Sequence, residues 1–207
     1  MKTDFKKELL KAKQNKYAIP AFNFDNLEML KGIVLAAEEE MHPVILMVTE
    51  SAAKYMGFDY VYQIVMIDSS AKPFEINLKE TKMVVEYAHQ RGVYVESEIG
   101  HVGGKEDDRS SENKSYTDLN EAVVFNEKTG VDALAIAAGT AHGIFKNKPN
   151  IQFELINNIV SKIDTPIVLH GSSGVNLSDL QKAISLGITK INIGTDLKIS
   201  NANAIKE

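Results

Sequence analysis

Two histidines stand in matched settings. His142 ends the run Ala-Ile-Ala-Ala-Gly-Thr-Ala-His, His170 ends Pro-Ile-Val-Leu-His, and a glycine follows each. Glycine lets backbone approach a ligand closely. Two imidazoles at the tips of buried strands can share one metal ion, and nitrogen ligands in a chain without cysteine suit Zn2+. Either histidine alone reads equally well as a satisfied structural residue; the matched pair favours the metal. Asp68 and Glu98 also close their runs, Met66-Ile-Asp-Ser69 and Val93-Tyr-Val-Glu-Ser-Glu-Ile-Gly100. Carboxylates there are candidate metal ligands or acid/base groups, or simply cap the next helix. His42 precedes Pro43 in a turn, His89 lies on the polar side of a helix, and His101 reads as a loop histidine with an accessory role at most.

A second chemistry is anion binding. Gly171-Ser-Ser-Gly-Val175 follows one apolar run and Asn192-Ile-Gly-Thr-Asp196 follows the next. Barrel enzymes hold phosphate with the loops after their last two strands, using backbone N–H groups and a helix N-terminus. Ordinary turn chemistry is the alternative, and two such loops in succession favour phosphate. The loop Gly103-Gly-Lys-Glu-Asp-Asp108 has the glycine hinge of a closing loop, but on its own it reads as a solvated acidic turn.

These residues need strands to aim them and helices to space them. β-rich runs begin near positions 17, 43, 66, 93, 132, 166 and 189, alternating with helical stretches. Pro43-Val-Ile-Leu-Met-Val48 has the continuous apolar character of a strand buried on both faces. Helices are expected from Asp25 as cap, from Ser51 to Val65, Pro73 to Gly92, Thr117 to Gly130, Gln152 to Ile163, Asn176 to Gly187 and from Leu197 onward. The alternation, with no antiparallel hairpin signal, predicts a parallel α/β sheet. A barrel is preferred over an open doubly wound sheet, because no G-x-G-x-x-G turn follows the first strand and polar residues cluster after several strands. An eight-unit barrel usually takes about 250 residues, against 207 here. At Val65–Met66 the predicted helix runs into a strand without a turn, whereas such connections normally need a few loop residues.

Composition narrows the function. With 23 basic and 28 acidic side chains the formal charge is −5, which disfavours nucleic acid as a partner. The absence of cysteine excludes disulfides and thiolate metal sites. The charged start lacks a signal-peptide core, and no apolar stretch approaches the length of a membrane span, so a cytoplasmic protein is expected.

The chain resembles the class II, metal-dependent fructose-bisphosphate and tagatose-bisphosphate aldolases. The resemblance rests on Ala21-Phe-Asn-Phe, Val65-Met-Ile-Asp-Ser-Ser, Val-Val-Glu-Tyr-Ala-His-Gln-Arg-Gly92, Val-Glu-Ser-Glu-Ile-Gly-His-Val-Gly-Gly-Lys-Glu-Asp-Asp108, the run ending Thr-Ala-His-Gly143, Leu-His-Gly-Ser-Ser-Gly174 and Lys-Ile-Asn-Ile-Gly-Thr-Asp196. It implies a (β/α)8 TIM barrel over residues 1–207. The implied reaction is reversible cleavage of a ketose 1,6-bisphosphate, fructose or tagatose, to dihydroxyacetone phosphate and glyceraldehyde 3-phosphate. By that resemblance His142 and His170 hold Zn2+, Asp68 and Glu98 line a second or alternative metal position, and Glu106 moves the substrate proton. Gly143, Lys146, Gly171, Ser172, Ser173, Asn192, Ile193, Gly194 and Thr195 bind the triose phosphate, with a monovalent cation nearby. A homodimer or homotetramer is implied.

The chain also departs from the family. The third strand there carries H-L-D-H-G, with the third zinc histidine and the proton donor; it is absent here and should fall at Val65–Met66. A tail for the second phosphate is absent too, and Thr117 stands slightly early. Either segments of the encoded protein are missing from this sequence, or the gene product is a degraded relative. Losing a strand and helix would expose their neighbours' buried faces, which favours the former. Alternative functions are a non-catalytic barrel subunit supporting an aldolase, or another phosphosugar enzyme on the same scaffold.

Overall fold

The computed structural model describes residues 4–57, 64–106, 109–111, 115–143 and 149–206, with backbone alone for 105, 106 and 109–111. The chain begins with α1 (Phe5–Asn15), β1 (Ile19–Asn23), α2 (Leu27–Glu40), β2 (Ile45–Met47), α3 (Glu50–Met56) and β3 (Ile64–Ile67). Next come α4 (Phe74–His89), β4 (Tyr94–Ile99), β5 (Gly104–Glu106), β6 (Arg109–Ser111), α5 (Leu119–Thr129) and β7 (Ala133–Ile136). It ends with α6 (Phe153–Lys162), β8 (Ile167–Leu169), α7 (Leu177–Leu186), β9 (Ile188–Ile193) and α8 (Thr195–Lys206).

All seven predicted strands join one parallel sheet, in the order β2-β1-β9-β8-β7-β4-β3. The pairing of β1 with β9 decides the architecture. First and last strands of the chain meet, as in a barrel, so the order is cyclic and broken at a single place, between β2 and β3. Those two edges both line a cavity of about 230 Å3, together with Glu96, His170 and Lys190. The sheet therefore curls until its free edges flank one lumen, and the fold is an α/β barrel of TIM type with one strand position unfilled among the described residues.

Several expectations need correction. β2 is not buried on both faces: Leu46 is 45% exposed and, across the gap, Met66 is 46% exposed, because each strand has a neighbour on one side only. α3 stops at Met56, where Gly57 takes a left-handed conformation (φ 71°) and closes the last turn; it does not run to Val65. Val65 and Met66 instead lie side by side within β3 and pair in register with Val95 and Glu96. Asn26, rather than Asp25, caps α2 through Met29 N, while Asp25 pairs with Lys198 at 3.0 Å. The loop after β4 holds an antiparallel pair, β5 with β6, which no hairpin signal announces.

Packing follows the period-two alternation of strands. Leu134, Ile136, Ile167, Leu169 and Ile188 face outward onto Phe125, Ile156, Ile159 and Ala183 of the surrounding helices. Ile19, Ala133, Ala135 and Val168 belong to a second cluster, closed by Phe5, Leu9 and Ala12 of α1. A third, Phe24 with Met29 and Ile33, seats α2.

Candidate functional site

On β4 the alternation sends Glu96 and Glu98 to one face, and both are almost wholly buried, at 2% and 1% exposure. His170, one residue beyond β8, stands between them. Its Nδ1 lies 2.8 Å from Glu98 Oε2 and its Nε2 lies 2.9 Å from Glu96 Oε1. Lys190 on β9 donates to Glu96 Oε1 at 3.1 Å and to Asn192 Oδ1 at 2.7 Å. A buried charge is tolerated only when paired, and here each has a partner. Burial pushes the Glu96 carboxyl up, but Lys190 and His170 outweigh it and hold it at about 2. Burial likewise opposes charge on His170, yet the two carboxylates raise it to about 9.

His142 reaches the same place from the loop after β7. Its backbone N donates to Gly103 O at 2.9 Å. Gly104 (φ 113°) runs so close that a Cβ there would lie 2.2 Å from His142 O. Gly171 (φ 60°) likewise would meet Ala141 O at 2.4 Å. These two glycines bring the β5–β6 strap and the loop after β8 against the His142 segment, and no larger residue fits at either position.

One potential ligand atom from each of Glu98, His142 and His170 lies within 4.8 Å of the other two, close enough to converge on one ion. Two imidazoles and a carboxylate are a donor set that Zn2+ accepts in catalytic sites, with a coordination position left open. The nitrogen of His170 facing this group is Nδ1, so Nε2 stays with Glu96, the carboxylate support that metal-bound histidines commonly have. The residues present therefore fit a metal. Asp68 stands apart: it is exposed, and its Oδ1 accepts from Ser70 N at 2.9 Å.

The two glycine- and serine-rich loops form one ledge. Ser172 N donates to Asn192 O at 3.2 Å, and Gly174 N donates to Asp196 Oδ2 at 2.9 Å. Ser173 Oγ accepts from Gly194 N and Asp196 N, both at 3.2 Å, at the start of α8. Ser172 and Ser173 are buried, so Ser173 serves the ledge itself by capping that helix. Gly171 lies just past β8, Asn192 and Ile193 are the last two residues of β9, Thr195 opens α8, and Gly143 lies on the loop after β7. Lys146 and the side chain of Glu106 lie outside the described residues.

Sequence reasoning missed Glu96, Lys190 and Ser70, and gave His101 an accessory role at most. Ser70 Oγ donates to Glu98 Oε1 at 2.9 Å and lies 3.0 Å from His101 Nδ1. For Glu96 a signal existed, because it stands two residues before Glu98 in a strand and so shares its face. Lys190 and Asn192 carry the same signal on β9.

The described residues contain no helix long and apolar enough to cross a membrane. The family profile described as class-II fructose-bisphosphate aldolase matches residues 3–65 and 58–207. The fructose-bisphosphate aldolase of Staphylococcus aureus strain Mu50 is 40% identical over 240 residues, covering 98% of this chain and 84% of that protein. The probable fructose-bisphosphate aldolase of Bacillus subtilis strain 168 is 41% identical over 234 residues, covering 95% and 82%. The crystal structure of the YdjI aldolase from Escherichia coli K12 superposes with a TM-score of 0.85 at 32% identity, covering 100% of this chain and 86% of that one. An aligned stretch of 240 residues exceeds the 207 available, so the relatives carry residues within it that have no counterpart here. The split of the profile match puts that interruption at 58–65, between β2–α3 and β3, where the sheet is open. Barrel topology, a histidine–carboxylate cluster at the strand ends and these likenesses agree: the chain belongs to the class-II fructose-bisphosphate aldolase family of carbon–carbon lyases.

Proposed function

We propose that this aldolase is zinc-dependent and cleaves fructose 1,6-bisphosphate or tagatose 1,6-bisphosphate reversibly to two triose phosphates. The observation that carries the reading is the convergence of Glu98, His142 and His170 on one point in the barrel mouth. Those three residues would hold Zn2+, whose Lewis acidity would act on the carbonyl oxygen of the ketose. Glu96 keeps the outer nitrogen of His170 engaged, and Lys190 keeps Glu96 charged. Lys190 also holds Asn192 Oδ1, which leaves the Asn192 amide N–H groups to donate to substrate. The ledge formed by Gly171, Ser172, Ser173, Gly194 and Thr195, together with Gly143 and Lys146, would seat the triose phosphate near the N-terminus of α8. Glu106, on the strap against His142, is assigned the proton transfer by family resemblance, and Asp68 a secondary metal contact. The enzyme is expected in the cytoplasm as a homodimer or homotetramer. Metal-free and zinc-loaded protein should be assayed with both bisphosphates. Cleavage that requires zinc and stops on chelation supports the reading; zinc binding without cleavage of either would make this a non-catalytic barrel subunit.

A further inference from the structure

The contacts of Ser70 fix where protons lie around Glu98. A carboxylate oxygen only accepts, so the single hydroxyl proton of Ser70 points to Glu98 Oε1, 2.9 Å away. Ser70 Oγ must then accept from His101 Nδ1 at 3.0 Å, and Nδ1 of His101 carries the proton. The other ring nitrogen, Nε2, is buried and has no hydrogen-bond partner among the described residues. An Nδ1–H tautomer leaves a lone pair there and spares a buried N–H from going unpaired. Val102 N adds a second donor to Glu98 Oε1 at 3.0 Å, so one carboxylate oxygen is fully engaged and the other is left to face His170 and His142.

We propose that His101, acting through Ser70, is a positioning residue that fixes the orientation of Glu98 as a ligand. The effect on metal rests on the zinc reading above; the proton arrangement does not. Outer partners of this kind typically alter metal affinity by about ten- to a hundredfold when removed.

Long-range proton–nitrogen NMR spectra of the metal-free protein read the tautomer, with His101 assigned by the loss of its signals in His101→Gln. The expected result is Nδ1–H in the wild type and a move toward Nε2–H in Ser70→Ala. A wild-type Nε2–H tautomer overturns the proposal. In zinc titrations, Ser70→Ala and His101→Gln should each bind about ten- to a hundredfold more weakly, with thermal unfolding midpoints near that of the wild type. Wild-type affinity in both variants overturns the positioning role. A wild type that binds no zinc but shows the Nδ1–H tautomer would end the metal reading while supporting the relay.

Discussion

The two ends of the barrel solve opposite problems on the same inward-facing surface. At the floor, Phe5, Leu9 and Ala12 of α1 fill the space over Ile19, Ala133, Ala135 and Val168. Toward the mouth the same alternation presents Glu98 and His170, with Glu96 and Lys190 one step below them in register with Ala133, Ile19 and Val168, all four buried. The floor is held by apolar area, which needs no particular partner for any one atom. The mouth is held by charges that neutralise one another in pairs, so removing one member leaves another buried and alone. Even the polar contact at the floor, Asp132, is a self-contained latch: it accepts from Lys6 at 2.9 Å, meets His89 at 2.8 Å and accepts from Val95 N at 2.9 Å.

This difference can be broken by substitution. The largest effect is expected from His170→Ala, which strips both carboxylates of their shared partner; the metal-free protein should lose about 3–5 kcal/mol of stability, measured by denaturant unfolding, and its metal affinity with it. Leu9→Ala at the floor should cost about 2–5 kcal/mol through the cavity it leaves, yet zinc titration should give wild-type affinity. Asp132→Asn loosens the latch and should cost about 1–3 kcal/mol, again without altering zinc binding. A floor variant that weakened zinc would show that the two ends are coupled.

The smallest effect, per unit of pH, sharpens the contrast. His170 is raised from 6.5 to about 9 in the fold, so its contribution is complete below about pH 6.5 and disappears as pH climbs through about 9. Glu96 is lowered from 4.5 to about 2, so its contribution is complete above about pH 4.5 and disappears as pH falls toward 2. Metal-free protein should be most stable between about pH 4.5 and 6.5, with each group contributing a slope of at most about 1.4 kcal/mol per pH unit outside that window. Leu9→Ala should lower this curve without changing its shape, whereas Glu96→Gln should flatten its acid limb.

Much of the floor and wall was legible in the sequence, because alternation of apolar runs with amphipathic stretches is a local signal. Every expected strand is present, and glycines 130 and 187 close α5 and α7 as expected. The N-terminal helix went unread, because Phe5, Leu9 and Ala12 are too few apolar residues in a charged stretch to announce the barrel floor they close. At the mouth, His142 and His170 were legible from their places after strands, and Glu98 from its place near the end of one. Their support was not: Glu96 and Lys190 are 94 residues apart, and Ser70 and His101 are 31 apart. Period two places Glu96 beside Glu98 on one face, but which cation neutralises it depends on which strands become neighbours. Asp68 has the same strand-end signature as Glu98, and the structure separates the two because β3 is an edge strand while β4 has neighbours on both sides.

The proposed zinc chemistry stands on Glu98, His142 and His170 being one metal centre. His142 is the member to remove, since it is only half-buried where Glu98 and His170 are fully buried. Metal analysis of wild type and His142→Ala, each loaded with zinc and dialysed, tests the claim directly. The expected result is one tightly held zinc per wild-type chain and none in the variant, with both folded. Equal zinc in the two proteins, or none in the wild type, would contradict it.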